Sequence, residues 1–170
     1  NINVSNVCVV GCAFCGFGQS KRSPDAYEHS REDFAQRVQD AVDAGATELC
    51  IQSGIHPDWT LDDYLGWLRF AKEIAPQLHL HAYSPMEVSH MCEVSGLSPR
   101  EVFSRLREAG WHIDFLLPGW LISELMPTLM ALRVPFSVAH MGLFPAASGP
   151  EQPGFQQFLK LAADGSQRCW

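Results

Sequence analysis

Three cysteines within eight residues, Cys8, Cys12 and Cys15, form the group in this sequence best suited to chemistry. Their C-x3-C-x2-C spacing puts three soft thiolates on one loop. Structural zinc usually takes four ligands from two separated pairs, and no second pair follows here. Three thiolates on a four-iron cubane leave one iron without a protein ligand, and that iron can bind a small molecule. A single zinc ion and three inert loop thiols are the competing readings of the same residues. Gly11, Gly16 and Gly18 are expected to give the loop the freedom to wrap a cluster.

Other candidates follow expected strand ends. Gln52, Ser53 and Gly54 form a small turn after a second strand, and His56 lies just beyond it. Strand alternation puts His79 and His81 on one face of a third strand, which Tyr83, Ser84 and Glu87 follow. His140 ends a fifth strand. An ordinary turn and hydrogen-bonded core histidines are the plainer readings of these positions. Cys50, inside an apolar strand, and Cys92, in a helical region, read as packing thiols. Arg100, Arg105, Arg107 and Glu108 read as a solvated helix face.

The elements that must position these residues alternate between strand and helix. Strands are expected at residues 3–8, 48–52, 78–82, 111–117 and 135–140. Ser30 with Asp33, and Thr60, start two amphipathic helices, and Ser98-Pro99-Arg100-Glu101 starts another that runs to about Ala109. The helical stripes are Phe34/Val38 and Leu61/Leu65/Leu68. A short helix around Met86–Met91, one over 123–132 and one over 153–163 complete the series. This rhythm predicts an α/β fold with a parallel sheet: a partial (βα) barrel of about five βα units, its chemistry gathered on the rim of strand C-termini.

The 170 residues are 46% hydrophobic, with 12 Lys/Arg against 19 Asp/Glu for a net charge of −7. That excludes a disordered chain and argues against broad nucleic-acid binding. No run approaches the roughly 20 apolar residues that span a bilayer, and no leader is recognisable, so a soluble cytoplasmic protein is expected. The start at Asn1 and the stop at Trp170 read as a piece of a longer protein.

The cysteine motif after a first strand, with Phe14 just before Cys15, resembles the radical S-adenosylmethionine (SAM) superfamily. Residues 1–8 (NINVSNVC), 11–18 (GCAFCGFG), 25–27 (DAY), 45–48 (GATE), 52–58 (QSGIHPD) and 79–87 (HLHAYSPME) narrow the resemblance to one group. It comprises FO synthase-type enzymes, which join tyrosine to a ribityl-aminouracil in coenzyme F420 biosynthesis, with futalosine-pathway menaquinone cyclases as near relatives. Residues 95–101 (SGLSPRE) and 106–110 (LREAG) favour the FO synthase group.

The resemblance implies that Cys8, Cys12 and Cys15 hold a [4Fe–4S] cluster whose open iron binds SAM. Phe14, Gln52, Ser53, Gly54, Ser84 and Glu87 would border the cofactor, with Ser53 standing where the family usually has glycine. Apart from that resemblance, His56 and His81 are candidate substrate contacts from their positions at or after strand ends, and His140 from the likeness described next. The implied partners are tyrosine, 5-amino-6-(D-ribitylamino)uracil and an electron donor.

After Gly110 the sequence takes on another likeness. Residues 110–119 (GWHIDFLLPG) and 138–142 (VAHMG) resemble amidohydrolase-type (βα)8 lactonases such as 2-pyrone-4,6-dicarboxylate hydrolases, in which a strand-end His meets substrate. Residues 1–110 are therefore expected to be an incomplete radical SAM core, and 111–170 βα units of foreign or divergent origin that continue the barrel. A lactone-hydrolase fragment and an inactive chimeric fragment are the rival expectations.

Overall fold

A computed structural model describes residues 1–163 and Cys169. The chain divides into two compact units, Asn1–Trp111 and His112–Trp170. The expected α/β architecture is present, with strands and helices alternating along the chain and every strand pair within each unit parallel.

In the first unit β1 (Ile2–Asn3), β2 (Glu48–Gln52) and β3 (His79–Ala82) pair in the register Ile2 with Ile51, and Leu49 and Ile51 with Leu80 and Ala82. Those apolar residues are buried, while Glu48, Cys50, His79 and His81 share the opposite, more open face. The helices are α1 (Arg31–Asp43), α2 (Leu61–Ile74), α3 (Pro85–Ser95) and α4 (Pro99–Glu108). All four start in the same way. At Ser30, Thr60, Ser84 and Ser98 the hydroxyl accepts the N–H of the residue three places on, whose carboxylate reaches back. Each reciprocal cap satisfies helix-end donors that would otherwise be unpaired.

The strand expected over residues 3–8 is only two residues long. Beyond it Ser5 and Val7 make isolated bridges to Glu28 and Gln19, because the chain leaves the sheet to enclose the cysteine loop. The helix expected at 86–91 runs from Pro85, under the Ser84 cap, to Ser95, where left-handed Gly96 ends it.

The second unit holds β4 (Trp111–Phe115, entering from the first unit), α5 (Gly119–Ala131), β5 (Phe136–Val138) and α6 (Pro153–Ala162). Its core is Ile122, Leu129, Phe136, Val138, Phe158 and Leu161. The fourth strand is shorter than expected, and α5 starts at Gly119, four residues early. The fifth strand stops at Val138: His140, Met141, Gly142 and Leu143 all have positive φ, which no strand tolerates. No helix among the described residues is long and apolar enough to cross a membrane.

Candidate functional site

The cysteine loop is pinned at its neck. The Cys8 N–H donates to the Gln19 carbonyl at 2.7 Å, and the Gln19 N–H to the Asn6 carbonyl at 2.8 Å. Buried Asn6 spans the base: its amide donates to the Asp25 carbonyl at 2.9 Å and its oxygen accepts the Tyr27 N–H at 2.7 Å. Between these ends the Cys15 N–H donates to the Cys12 carbonyl at 3.1 Å, a turn that brings the C-x2-C pair round. All three thiols are free; Cys8 is half-buried, Cys12 and Cys15 exposed.

Two of the sulfurs face main-chain donors. The Val10 and Ile55 N–H groups point at Cys8 Sγ from 3.4 and 3.3 Å. Main-chain hydrogen bonds from Gly18 and Phe17 hold the Cys15 thiol below its ordinary value, favouring thiolate. Among the described residues the three sulfurs do not gather within 4.8 Å of one another, as ligands of one shared ion would. A cubane spreads its thiolates over different irons, so three sulfurs this far apart are compatible with a cluster.

The expected backbone freedom is not used in a left-handed turn here: none of Gly11, Gly16 and Gly18 has a positive φ. A Cβ on Gly18 would stand 3.1 Å from the Cys8 Cβ, whereas Gly11 and Gly16 have open space around them.

The β2–α2 loop, residues 53–60, lies directly against Cys8. The Gly54 N–H donates to the Ser5 carbonyl at 2.8 Å, and the Val9 N–H to the Ile55 carbonyl at 3.0 Å. Gly54 leaves no space: a Cβ there would fall 2.2 Å from the Val7 carbonyl oxygen and 2.9 Å from the Cys8 Cβ. Ser53 is gripped by Glu87, whose buried carboxylate accepts the Ser53 N–H at 2.9 Å, the Ser53 hydroxyl at 3.1 Å and the Ser84 N–H at 2.6 Å. Burial pushes the Glu87 carboxyl up, and those hydrogen bonds oppose the shift. Glu87 thus joins Ser84 to the Gln52–Gly54 turn, whose Gly54 lies against Cys8, and Phe14 stands 95% exposed next to Cys15 in the sequence.

The histidines diverge. His56 is buried, stacked on Trp59 with centroids 5.0 Å apart. Its Nδ1 accepts the Asp58 N–H at 3.2 Å, so Nε2 carries the proton that faces Glu28 at 3.3 Å, and both nitrogens are engaged by the protein. His81 pairs with Glu48 at 2.8 Å and lies opposite Cys50 in the ladder. The Cys50 side chain, with Glu48 assisting, pushes its imidazole up to about 9, so it is charged at neutral pH. His140 belongs to the second unit, exposed on its left-handed turn beside a cavity of about 350 Å³ lined by Phe144, Pro150, Gln152 and Phe155.

Sequence reasoning missed Glu28, which joins His56 to the Trp59 indole N–H at 3.1 Å, and the part of the Ile55 N–H. The Ser84-Pro85-Met86-Glu87 cap was visible in the sequence, with the same pattern as at Ser98, but was weighed there only as a ligand set.

The sequence matches the profile of the radical SAM superfamily over residues 2–119. This chain belongs to that superfamily. Among curated relatives, the FO synthase of Mycobacterium tuberculosis is 46% identical over 155 aligned residues, covering 84% of this chain and 18% of that protein. The FO synthase of Mycobacterium leprae is 38% identical with the same coverage. The 5-amino-6-(D-ribitylamino)uracil–L-tyrosine 4-hydroxyphenyl transferase of Methanopyrus kandleri is 44% identical over 110 residues, 65% of this chain and 30% of that one. This radical SAM chain therefore spans less than a third of the length of the relatives it matches. With the mycobacterial proteins the similarity runs past residue 110.

Proposed function

We propose that this chain is part of a radical SAM transferase of the FO synthase type. Cys8, Cys12 and Cys15 would hold a [4Fe–4S] cluster, with SAM bordered by Phe14, Gln52–Gly54, Ser84 and Glu87. A cluster of this kind supplies the single electron that splits the sulfonium of SAM and yields a 5′-deoxyadenosyl radical. The radical would be spent on tyrosine, whose hydroxybenzyl fragment passes to 5-amino-6-(D-ribitylamino)uracil. A separate electron donor is required, and a low-potential donor and free thiols suit the reducing cytoplasm.

The chain's own residues then have definite tasks. The pinned neck Asn6–Gln19 presents the three thiolates. Glu87 fixes the Ser53 turn, so that the main chain of Gln52–Gly54 is set in place before SAM arrives. Phe14 offers a flat apolar face beside Cys15. Of the three histidines expected to meet substrate, His81 is best suited: it is charged and half-exposed, whereas both nitrogens of His56 are engaged.

The observation that carries this reading is the pinned three-thiol loop with N–H donors on its sulfurs, in a chain 44% identical over 110 residues to a named tyrosine transferase. Anaerobic reconstitution with iron and sulfide should give absorption near ~400 nm that Cys12→Ala abolishes. Adding SAM and dithionite should release 5′-deoxyadenosine, and adding tyrosine and the ribityl-aminouracil should consume both. A colourless protein that takes up one zinc per chain overturns the proposal. Release of 5′-deoxyadenosine with tyrosine untouched would point to another substrate.

A further inference from the structure

Past the two-residue β1, single hydrogen bonds still tie the chain to the end of β2 and the loop after it. The Val4 N–H donates to the Gln52 carbonyl at 2.9 Å and the Gly54 N–H to the Ser5 carbonyl at 2.8 Å. The next donor along, the Ile55 N–H, meets a side-chain sulfur, Cys8 Sγ at 3.3 Å. Beyond it the Val9 N–H donates to the Ile55 carbonyl at 3.0 Å. A thiol thus takes a main-chain donor where the neighbouring bonds end on carbonyls, and the donor is bracketed by hydrogen bonds that fix its direction.

The loop presenting that donor is locked at both ends. On one side Glu87 holds Ser53. On the other, Glu28 accepts from the Trp59 indole and stands 3.3 Å from the His56 Nε2, and His90 donates to the His56 carbonyl at 3.3 Å. Lys21, just beyond the cysteine loop, pairs with Asp58 on the same stretch. None of these contacts is needed to form a βα turn. Together they hold Gly54–Ile55 against Cys8 with no room for a Cβ.

We infer that the Ile55 main-chain N–H is a tuning donor to the iron-bound sulfur of Cys8, with Glu28 and Glu87 as the positioning residues that keep it aimed. This rests on the cluster reading above. An N–H dipole directed at a thiolate stabilises negative charge, and the reduced cluster carries one more negative charge than the oxidised one. The donor therefore makes the cluster easier to reduce, and loss of aim makes reduction harder. Cys12 and Cys15 are exposed on the outer part of the loop, so Cys8 is the ligand through which the β2–α2 loop acts on the cluster.

Two measurements on the 170-residue chain test this separately. In the metal-free protein the Ile55 amide should be protected from hydrogen exchange, and Cys8→Ala should speed its exchange at least tenfold while the Gly54 amide, bonded to Ser5, stays slow and reports an intact fold. Unchanged Ile55 exchange in Cys8→Ala overturns the inference. In the reconstituted protein, Ile55→Pro, which deletes the N–H, should lower the reduction equilibrium constant about tenfold, a shift of roughly 59 mV to more negative potential for a one-electron couple. Glu28→Gln should shift it the same way by less, and Ile55→Val, which keeps the N–H, should restore the wild-type potential. If Ile55→Pro does not fold, Glu28→Gln carries the test. Equal potentials in the wild type and Glu28→Gln overturn the inference alone, whereas a wild type that takes up no iron and sulfide overturns it together with the cluster reading.

Discussion

Gly54→Ala is the substitution whose cost the structure sets most directly. The added methyl would lie 2.2 Å from the Val7 carbonyl oxygen, 2.7 Å from its carbon and 2.9 Å from the Cys8 Cβ, where real Cβ contacts stay above 3.0 Å. Two of the three atoms are backbone and cannot swing aside. Relief requires a retreat of about 0.8 Å, which takes the Gly54 N–H out of hydrogen-bond range of Ser5 and strains the Ile55 contacts to Cys8 and Val9. Overpacking of this kind costs about 1–3 kcal/mol. Two or three weakened hydrogen bonds add about 0.5–1.5 kcal/mol each, for roughly 2–7 kcal/mol in all. For a chain of this size that is a fall in melting temperature on the order of 10 °C, readable by circular dichroism or calorimetry. Gly16→Ala is the control: it lies in the same cysteine loop with nothing within 4 Å, and should melt within about 2 °C of wild type. A Gly54→Ala protein that melts like wild type would refute the argument that the β2–α2 loop is pressed onto Cys8.

Three further outcomes follow from the same reasoning. His81 is held charged by Cys50 and Glu48 with its imidazole pushed up to about 9, above the ordinary 6.5, so its stabilisation is complete below about pH 6.5 and lost as pH rises through about 9. Melting temperature should therefore drop over that window more steeply in wild type than in His81→Gln, and Cys50→Ala should lower the His81 titration midpoint seen by NMR; an unmoved midpoint contradicts the assignment of Cys50 as the main cause. Trp111→Phe removes the buried indole donor to the Ala82 carbonyl at 2.5 Å while keeping a ring for Phe103 to stack on, and should cost about 1–3 kcal/mol by denaturant titration. Gly119→Ala would put a methyl 2.3 Å from the Phe144 ring, which Gly142 and Gly154 also border, so the second unit should lose about 1–3 kcal/mol; a neutral result would mean that Phe144 is not confined there.

Local signals were legible in the sequence, and contacts between distant residues were not. The caps at Ser30, Thr60 and Ser98, the stripes Phe34/Val38 and Leu61/Leu65/Leu68, and the strands at 48–52 and 78–82 each depend on neighbours within four residues, so spacing alone reveals them. The fifth strand misled because Val138-Ala139-His140 is strand-like in composition, while the left-handed turn that ends it at Val138 involves His140, Met141 and Leu143, residue types that seldom adopt it. The cysteine triplet was legible as a ligand set because its chemistry is carried by spacing within eight residues.

The surroundings of that triplet were not legible, and the reason is physical. Gly54 looked like a turn glycine, yet its need arises from Val7, 47 residues earlier, and only a parallel pairing of β1 and β2 in one register brings the two together. Shifting that register by one residue would displace the chain that leads from β1 to Cys8 along the β2–α2 loop and leave the Ile55 N–H facing something other than sulfur. Ile2 and Ile51 are paired and buried, so the apolar pattern that fixes the register of this short sheet also fixes which main-chain group meets the first cysteine. The core packing of β1 against β2 and the electronic setting of Cys8 are therefore consequences of one choice of register: a substitution at Ile2 or Ile51 that let the strands slip would be felt at the sulfur before it reached either exposed cysteine.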